Sequence, residues 1–121
     1  MKGENMNIKE LKLIIALGEY DAATGGKEID ATVLRQQIGI GNLLAISGGR
    51  QKAFKSTVFL PVARGYYVAV TLTPADEYTV SRIFVRAGKV SVKETFEGVY
   101  AENVGEVAYR ASLYENVGVG V

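Results

Sequence analysis

The chain has 121 residues, of which 48% are hydrophobic and 22% charged, and its formal net charge is +1. This length and composition suit one ordinary globular domain with a modest core and exclude a disordered chain. The sequence has no cysteine and no histidine, which excludes disulfides, thiolate or imidazole metal sites and catalysis by a histidine base. We therefore expect a cytoplasmic protein with no enzymatic activity, no cofactor and no bound metal.

The near-neutral net charge hides an uneven distribution along the chain. Residues 50–93 carry eight Lys or Arg against two acids, whereas residues 94–121 carry five Glu against a single Arg. Such asymmetry points to a binding partner more than the net charge does. No apolar run is long enough to span a bilayer, so we expect no membrane association.

The first element is predicted to be a helix from Ile8 to about Glu19, with Asn7 as its N-cap. Alternating apolar residues between 11 and 17 would also suit a strand, and the helix is preferred. Residues 21–28 contain two adjacent glycines and are expected to form a loop.

A second helical region is predicted to follow Asp30, which is a candidate N-cap, and to end near Ile46. Its buried stripe would consist of Ala31, Leu34, Ile38, Leu43, Leu44 and Ile46. Gly39 and Gly41 should either bend this helix or split it in two. Ser47-Gly48-Gly49 should end it, because glycines accept positive φ.

The rest of the chain alternates apolar and polar residues with a period near two, which predicts strands. Four strands are expected, at about 55–62, 66–73, 78–86 and 89–97. The links between them are short, including Arg64-Gly65 and the two-residue hairpin Ala87-Gly88, and they imply an antiparallel meander. A final helix is predicted from Tyr100 to Leu113.

These elements predict a single α+β domain over residues 1–121. A four-stranded antiparallel meander would carry one or two N-terminal helices and a C-terminal helix. Residues 29–121 are expected to form the core. Residues 1–28 are expected to form an N-terminal extension whose short amphipathic helix docks or self-associates, because such a helix is marginal alone.

Strand alternation predicts a sheet face that is rich in cations and aromatic rings. The side of the third strand that carries arginines is expected to face solvent. The candidate binding residues on this face are Tyr67, Arg82, Phe84, Arg86 and Lys93. Aromatic platforms with cations between them are typical of surfaces that hold single-stranded nucleic acid. Cations on a sheet face also serve solubility and discourage edge pairing, so this second interpretation stays open.

Three shorter motifs have a structural and a functional interpretation. An anion-binding concavity is conceivable at Gly48, Gly49, Arg50 and Lys52, although a glycine-rich helix end is the preferred interpretation. Gly39-Ile40-Gly41 lacks the third glycine and the preceding strand of a dinucleotide fingerprint. Asp76 is expected to accept hydrogen bonds from the amides of the turn that Pro74 begins.

The region from about Val33 to Tyr100 resembles a family of small uncharacterised proteins of bacteriophages and related mobile elements, and three segments carry the resemblance. The segments are Gly41-Asn42-Leu43-Leu44-Ala45 with Ser47-Gly48-Gly49, then Thr71 to Val80 with its Leu-Thr-Pro-x-Asp-x-Tyr pattern, and Glu97-Gly98-Val99-Tyr100-Ala101. The resemblance implies the order helix, four strands, helix and a phage setting, hence the host cytoplasm, and it implies no chemistry. This chain departs from the family by about 30 preceding residues and by a last helix that contains Gly105.

The sequence thus predicts a small phage-type accessory protein that acts by protein binding or self-association. The alternative is binding of single-stranded nucleic acid through the five sheet residues named above. A carboxylate-dependent hydrolase finds no support beyond the adjacency of Asp76 and Glu77.

Overall fold

The computed structural model describes residues 7–113, so residues 1–6 of the predicted extension and residues 114–121 lie outside the described range. Within that range the elements are α1 (Ile8–Thr24), α2 (Ala31–Ile38), α3 (Ile40–Ser47), β1 (Lys52–Ala53), β2 (Thr57–Ala63), β3 (Tyr66–Leu72), β4 (Tyr78–Arg86), β5 (Lys89–Val99) and α4 (Val104–Leu113). The strands form one antiparallel sheet in chain order. The predicted α+β class and antiparallel sheet are confirmed. The predicted number of four strands was wrong, because the short strand β1 pairs with the edge of β2.

The sequence of α1 sets where the helix begins. The side chain of Asn7 accepts a hydrogen bond from the Glu10 backbone N–H at 2.8 Å, and the Glu10 carboxylate accepts one from the Asn7 N–H at 3.3 Å. This reciprocal capping box satisfies two amides that the first turn would otherwise leave without partners. The helix continues to Thr24, so the predicted loop begins four residues later, at Gly25, which adopts a left-handed φ of 68°.

The second helical region is divided at Gly39. Asp30 caps α2 by accepting hydrogen bonds from the N–H groups of Thr32 and Val33 at 3.0 and 3.1 Å. Gly39 then takes a φ of 90° and a ψ of 142°, which ends α2 and begins α3. The sequence predicted that the glycines would either bend this helix or divide it in two, and the helix is divided. Leu44, predicted to be buried, is exposed on α3.

Two tight hairpins bring their tips to the same end of the sheet. Arg64 and Gly65 join β2 to β3 with φ angles of 52° and 88°, and Ala87 and Gly88 join β4 to β5 with 52° and 79°. Two consecutive positive φ angles match the twist of antiparallel strands. The predicted hairpins are therefore formed, and they place Arg64 and Ala87 on one rim.

Helices cover both faces of the sheet. Helices α2, α3 and α4 pack on one face, where Leu34, Leu43 and Val104 join Val68 and Val80 in the larger core cluster. Helix α1 covers the other face, where Leu17 contacts a smaller cluster that consists of Phe59, Tyr67, Ala69 and Ile83. The helix of the predicted N-terminal extension is thus one layer of the packed structure.

Helix α4 begins at Val104 and not at Tyr100, which is exposed. Val104, Ala108 and Ala111 form its buried face. The helix lies very close to the junction of α2 and α3 at Gly105, where an added Cβ would come within 2.5 Å of the Ile38 carbonyl oxygen.

Candidate functional site

The sheet face that was predicted to be exposed is covered by α4. Arg82 pairs with Val68 across the ladder, and Val80 pairs with Val70, so this side of β4 belongs to the larger core cluster. Arg82 is only 6% exposed, and its Nη1 donates to the carbonyl of Ala111 on α4 at 3.4 Å. The prediction that this face is exposed to solvent was wrong. The valines on either side of Arg82 are apolar, and their burial under a layer of helices is favourable.

Tyr67 lies on the opposite face from Arg82. Its ladder partner is Ile83, and it is 8% exposed under α1. Burial raises the pKa of Tyr67, and the positive charge of Arg50 partly offsets that effect. The prediction that Tyr67 shares a face with Arg82 was therefore wrong. The aromatic ring beside Arg82 is that of Tyr66, which precedes Tyr67 in the chain.

Four residues form a cation–aromatic cluster where α4 ends: Tyr66, Arg82, Phe84 and Lys93. The rings of Tyr66 and Phe84 lie 4.7 Å apart between centroids. The guanidinium carbon of Arg82 lies 4.1 Å from the Tyr66 centroid, and Lys93 Nζ lies 5.9 Å from that of Phe84. Both distances suit cation–π attraction. Sequence reasoning missed Tyr66, which the register from the Arg64-Gly65 hairpin would have identified.

The predicted anion-binding concavity has no free amides to offer. The N–H of Gly48 donates to Leu44 at 3.0 Å, and that of Gly49 donates to Leu43 at 3.1 Å. The N–H of Arg50 donates to Ser47 at 3.2 Å. These bonds close the end of α3, as the helix-end interpretation requires. Lys52 begins the edge strand β1 and is exposed.

An open cavity of about 690 Å³ lies between the first turns of α1 and the two hairpin tips. We call it the basic cleft, because Lys9, Lys12, Arg64 and Arg86 line it together with the single acid Glu10. Tyr67 and Phe84, from opposite faces of the sheet, also reach it. The structure thus gathers three of the five predicted residues here, namely Tyr67, Phe84 and Arg86. Lys9, Lys12 and Arg64 were missed because only the tertiary fold brings α1 to the hairpins.

The outer face of α1 carries an apolar stripe, which consists of Ile8, Leu11, Ile15, Gly18 and Ala22. Ile8 is 66% exposed, Leu11 45% and Ile15 50%. Ala22 is exposed and Gly18 half-buried. The stripe lies on the side of the helix opposite the residues that face the sheet, among them Leu13 and Leu17. The apolar face that the sequence predicts is therefore present, but it points away from the core.

Ile14, beside the stripe, is 39% exposed and extends its apolar surface. Two charged residues, Lys12 and Glu19, border the stripe on its other side, and both are exposed. An exposed line of large aliphatic side chains, bordered by charge, is unusual for a surface that meets only water.

No helix between residues 7 and 113 is both long and apolar enough to cross a bilayer. In the same range, no three acidic residues come together as a group that could hold a metal ion. Comparisons of the chain with protein-family models, curated proteins and solved structures find no match.

Proposed function

We propose that this chain is a non-enzymatic, phage-type accessory protein of the host cytoplasm that acts by protein binding through the apolar stripe of α1. The phage setting rests on the sequence resemblance described above. The binding role rests on one observation, which is the exposure of Ile8, Leu11 and Ile15 on a single helix face.

The stripe contributes little to the stability of the isolated chain, because α1 already buries its other face against the sheet. Full burial of an aliphatic side chain is worth roughly 1.5–3 kcal/mol. Burial of these three partly exposed aliphatic side chains against a partner would therefore contribute favourable binding free energy. Anchors spaced by three and four residues are the pattern by which an amphipathic helix fits a groove or another helix.

Affinity capture with a matched pair of variants tests this proposal. Ile15→Asn places a polar amide in the middle of the stripe, whereas Ile40→Asn makes the same change at an isoleucine on α3 that is 62% exposed. Immobilised parent protein and the Ile40→Asn variant should retain the same proteins from an extract of host cells that also express the untagged chain, and Ile15→Asn should lose them. Equal retention by all three proteins would contradict the proposal.

The basic cleft favours a second function, which is binding of single-stranded nucleic acid. Four cations face one acid there, and the rings of Tyr67 and Phe84 form part of the wall. Cations that follow phosphates and rings that stack on bases are the two elements of such sites.

Titration of a fluorescent mixed-sequence oligonucleotide at 50 and 200 mM salt tests the second function. Each phosphate contact should contribute about −0.7 to the slope of log K against log salt. The double variant Arg64→Ala/Arg86→Ala should weaken binding and flatten that slope, whereas Lys55→Ala, outside the cleft, should change neither. Absence of binding by the parent at tens of micromolar would eliminate this function.

A further inference from the structure

We infer that the partner of the apolar stripe is the same stripe on a second copy of this chain, paired with it as two antiparallel helices. The inference rests on the proposed function and specifies the partner. Three features of α1 carry it: the spacing of the stripe, the distribution of large and small residues along it, and the position of two charges.

The spacing of the stripe is that of a paired helix. Its members occur at positions 8, 11, 15, 18 and 22, so the intervals alternate between three and four residues. This is the seam of a two-helix coiled coil, and it is narrower than the face of a helix that packs on a sheet. The seam lies on the side of α1 away from the sheet. At Gly18 the ring of Phe54 borders the seam, because Phe54 Cε2 lies 3.6 Å from the position of an added Cβ, so a second copy would contact Phe54 there as well.

The stripe has large residues at its beginning and small residues at its end. In an antiparallel pair, Leu11 of one copy faces Ala22 of the other, and Ile15 faces Gly18. Each large side chain then meets a small one, and this fills the space between the helices at native density. A parallel pair would place Gly18 opposite Gly18 and Ala22 opposite Ala22, which leaves a gap along the second half of the seam.

The charges that border the stripe favour the same direction. Lys12 and Glu19 lie on the same side of the seam, two turns apart, and both are exposed. Antiparallel pairing brings Lys12 of one copy beside Glu19 of the other, and the two-fold symmetry repeats this pair. Such exposed pairs contribute little to affinity but select one orientation over another. In the parallel arrangement the seam places neither charge beside an opposite one.

Sedimentation analysis between about 1 and 200 µM tests the existence of the pair. One helix pair is a small interface, so we expect a reversible dimer with a dissociation constant in the micromolar range. Ile15→Asn should raise that constant at least about tenfold, which corresponds to 1.4 kcal/mol, and Ile40→Asn should leave it unchanged. Lys12→Glu should weaken the dimer, and the double exchange Lys12→Glu/Glu19→Lys should restore it.

Cysteine cross-linking tests the direction of the helices, because the natural chain has no cysteine. Leu11→Cys and Ala22→Cys proteins, oxidised separately, should stay uncross-linked, since like positions lie about 16 Å apart along the antiparallel helices. An equal mixture of the two should form a disulfide-linked dimer. Cross-linking of each variant with itself would overturn the antiparallel arrangement.

A parent protein that stays monomeric up to 200 µM would overturn the inference as a whole. The proposed function would survive that result if Ile15→Asn still abolished capture of other proteins. It would fail separately if capture proved insensitive to Ile15→Asn.

Discussion

The carboxylate of Asp21 on α1 accepts two hydrogen bonds from Ser56 in the β1–β2 connection. The backbone N–H of Ser56 donates at 3.0 Å, and its hydroxyl donates at 2.8 Å. Both residues are buried, and Thr24 Oγ1 lies 3.3 Å from the same hydroxyl. These polar contacts join α1 to the edge of the sheet and fix the helix whose outer face carries the apolar stripe.

We expect Asp21→Ala to lower the free energy of unfolding by about 1.5–3 kcal/mol, because it leaves a buried amide and a buried hydroxyl without their charged partner. Ser56→Ala keeps the backbone bond and removes the contacts of the hydroxyl with Asp21 and Thr24, so it should cost about 1 kcal/mol. Urea denaturation measures both changes, with Glu28→Ala as an exposed control that should match the parent. An Asp21→Ala protein as stable as the parent would show that the contact does not hold α1 on the sheet.

The beginning of α1 could be predicted from local sequence, and its end could not. The capping box lies within four residues, Asn7 to Glu10, and is readable from the chain. The end was placed too early because Asp21 favours loops and caps in isolation. Its bonds to Ser56, which is 35 residues away, keep it inside the helix. The same limit applies to the stripe, because spacing identifies an apolar face but not what covers it.

The candidate nucleic-acid face was misassigned for two physical reasons. Arg82 made its side of β4 look exposed, although its neighbours in the ladder are valines. In β5, strand alternation breaks at Lys93, because Arg82 pairs with Glu94 and Ile83 pairs with Val92. A β-bulge of this kind moves the side chains that follow it to the other face, and a second register shift, between Tyr78 and Val80, moves the end of β5 back. Alternation alone therefore could not place the middle of β5.

The turn between β3 and β4 depends on Thr73 and not on Asp76, which corrects the sequence-based prediction. The Thr73 hydroxyl accepts from the N–H groups of Ala75 and Glu77 at 3.2 and 3.3 Å. Asp76 has a left-handed φ of 66°, and its carboxylate forms an exposed ion pair with Lys27.

We expect Thr73→Val to lower the free energy of unfolding by about 1 kcal/mol, because two turn amides lose their acceptor. Asp76→Gly should change stability little, since relief of the left-handed strain of about 1 kcal/mol offsets the loss of a weak surface pair. Thermal denaturation of the two variants measures the contrast. A larger loss for Asp76→Gly than for Thr73→Val would reverse this assignment.

Close packing at Gly105 makes a further prediction about α4. An added Cβ would lie 2.5 Å from the Ile38 carbonyl oxygen and 2.8 Å from Asn42 Nδ2, and these two atoms are themselves hydrogen-bonded at 3.0 Å. We expect Gly105→Ala to cost about 1–3 kcal/mol of unfolding free energy, because the overlap exceeds the gain in helix propensity.

Gly41→Ala is the matched control, because it makes the same change within α3 at a position where nothing lies within 4 Å of the added Cβ. It should stabilise the chain by about 0.5–1 kcal/mol. Urea denaturation of both variants should therefore give changes of opposite sign. Equal changes would mean that α4 moves away from α2 without cost.

The tyrosines Tyr67 and Tyr78 should make the fold sensitive to alkaline pH. Burial raises the pKa of each above the ordinary value of 10.0, and the negative charge of Asp30 raises that of Tyr78 further. The Tyr78 hydroxyl donates to Gln37 Oε1 at 2.7 Å, and only the protonated form can do so. Because the pKa of each phenol is raised in the folded state, the phenol stays protonated there at a pH at which it has already ionised in the unfolded chain. The stabilising contribution is therefore complete below pH 10 and is lost as the pH rises through the folded pKa.

We expect the free energy of unfolding to fall between pH 9 and pH 11.5, together with the rise of phenolate absorbance. Tyr78→Phe should cost about 1 kcal/mol at pH 8, because the bond to Gln37 is lost. Between pH 9 and pH 11.5 the free energy of unfolding of Tyr78→Phe should fall by less than that of the parent, because the variant has one buried phenol fewer to ionise. Tyr100→Phe is the control for the loss of an exposed hydroxyl, because Tyr100 is 51% exposed. An alkaline loss in Tyr78→Phe equal to that of the parent would show that Tyr78 contributes nothing to the pH dependence.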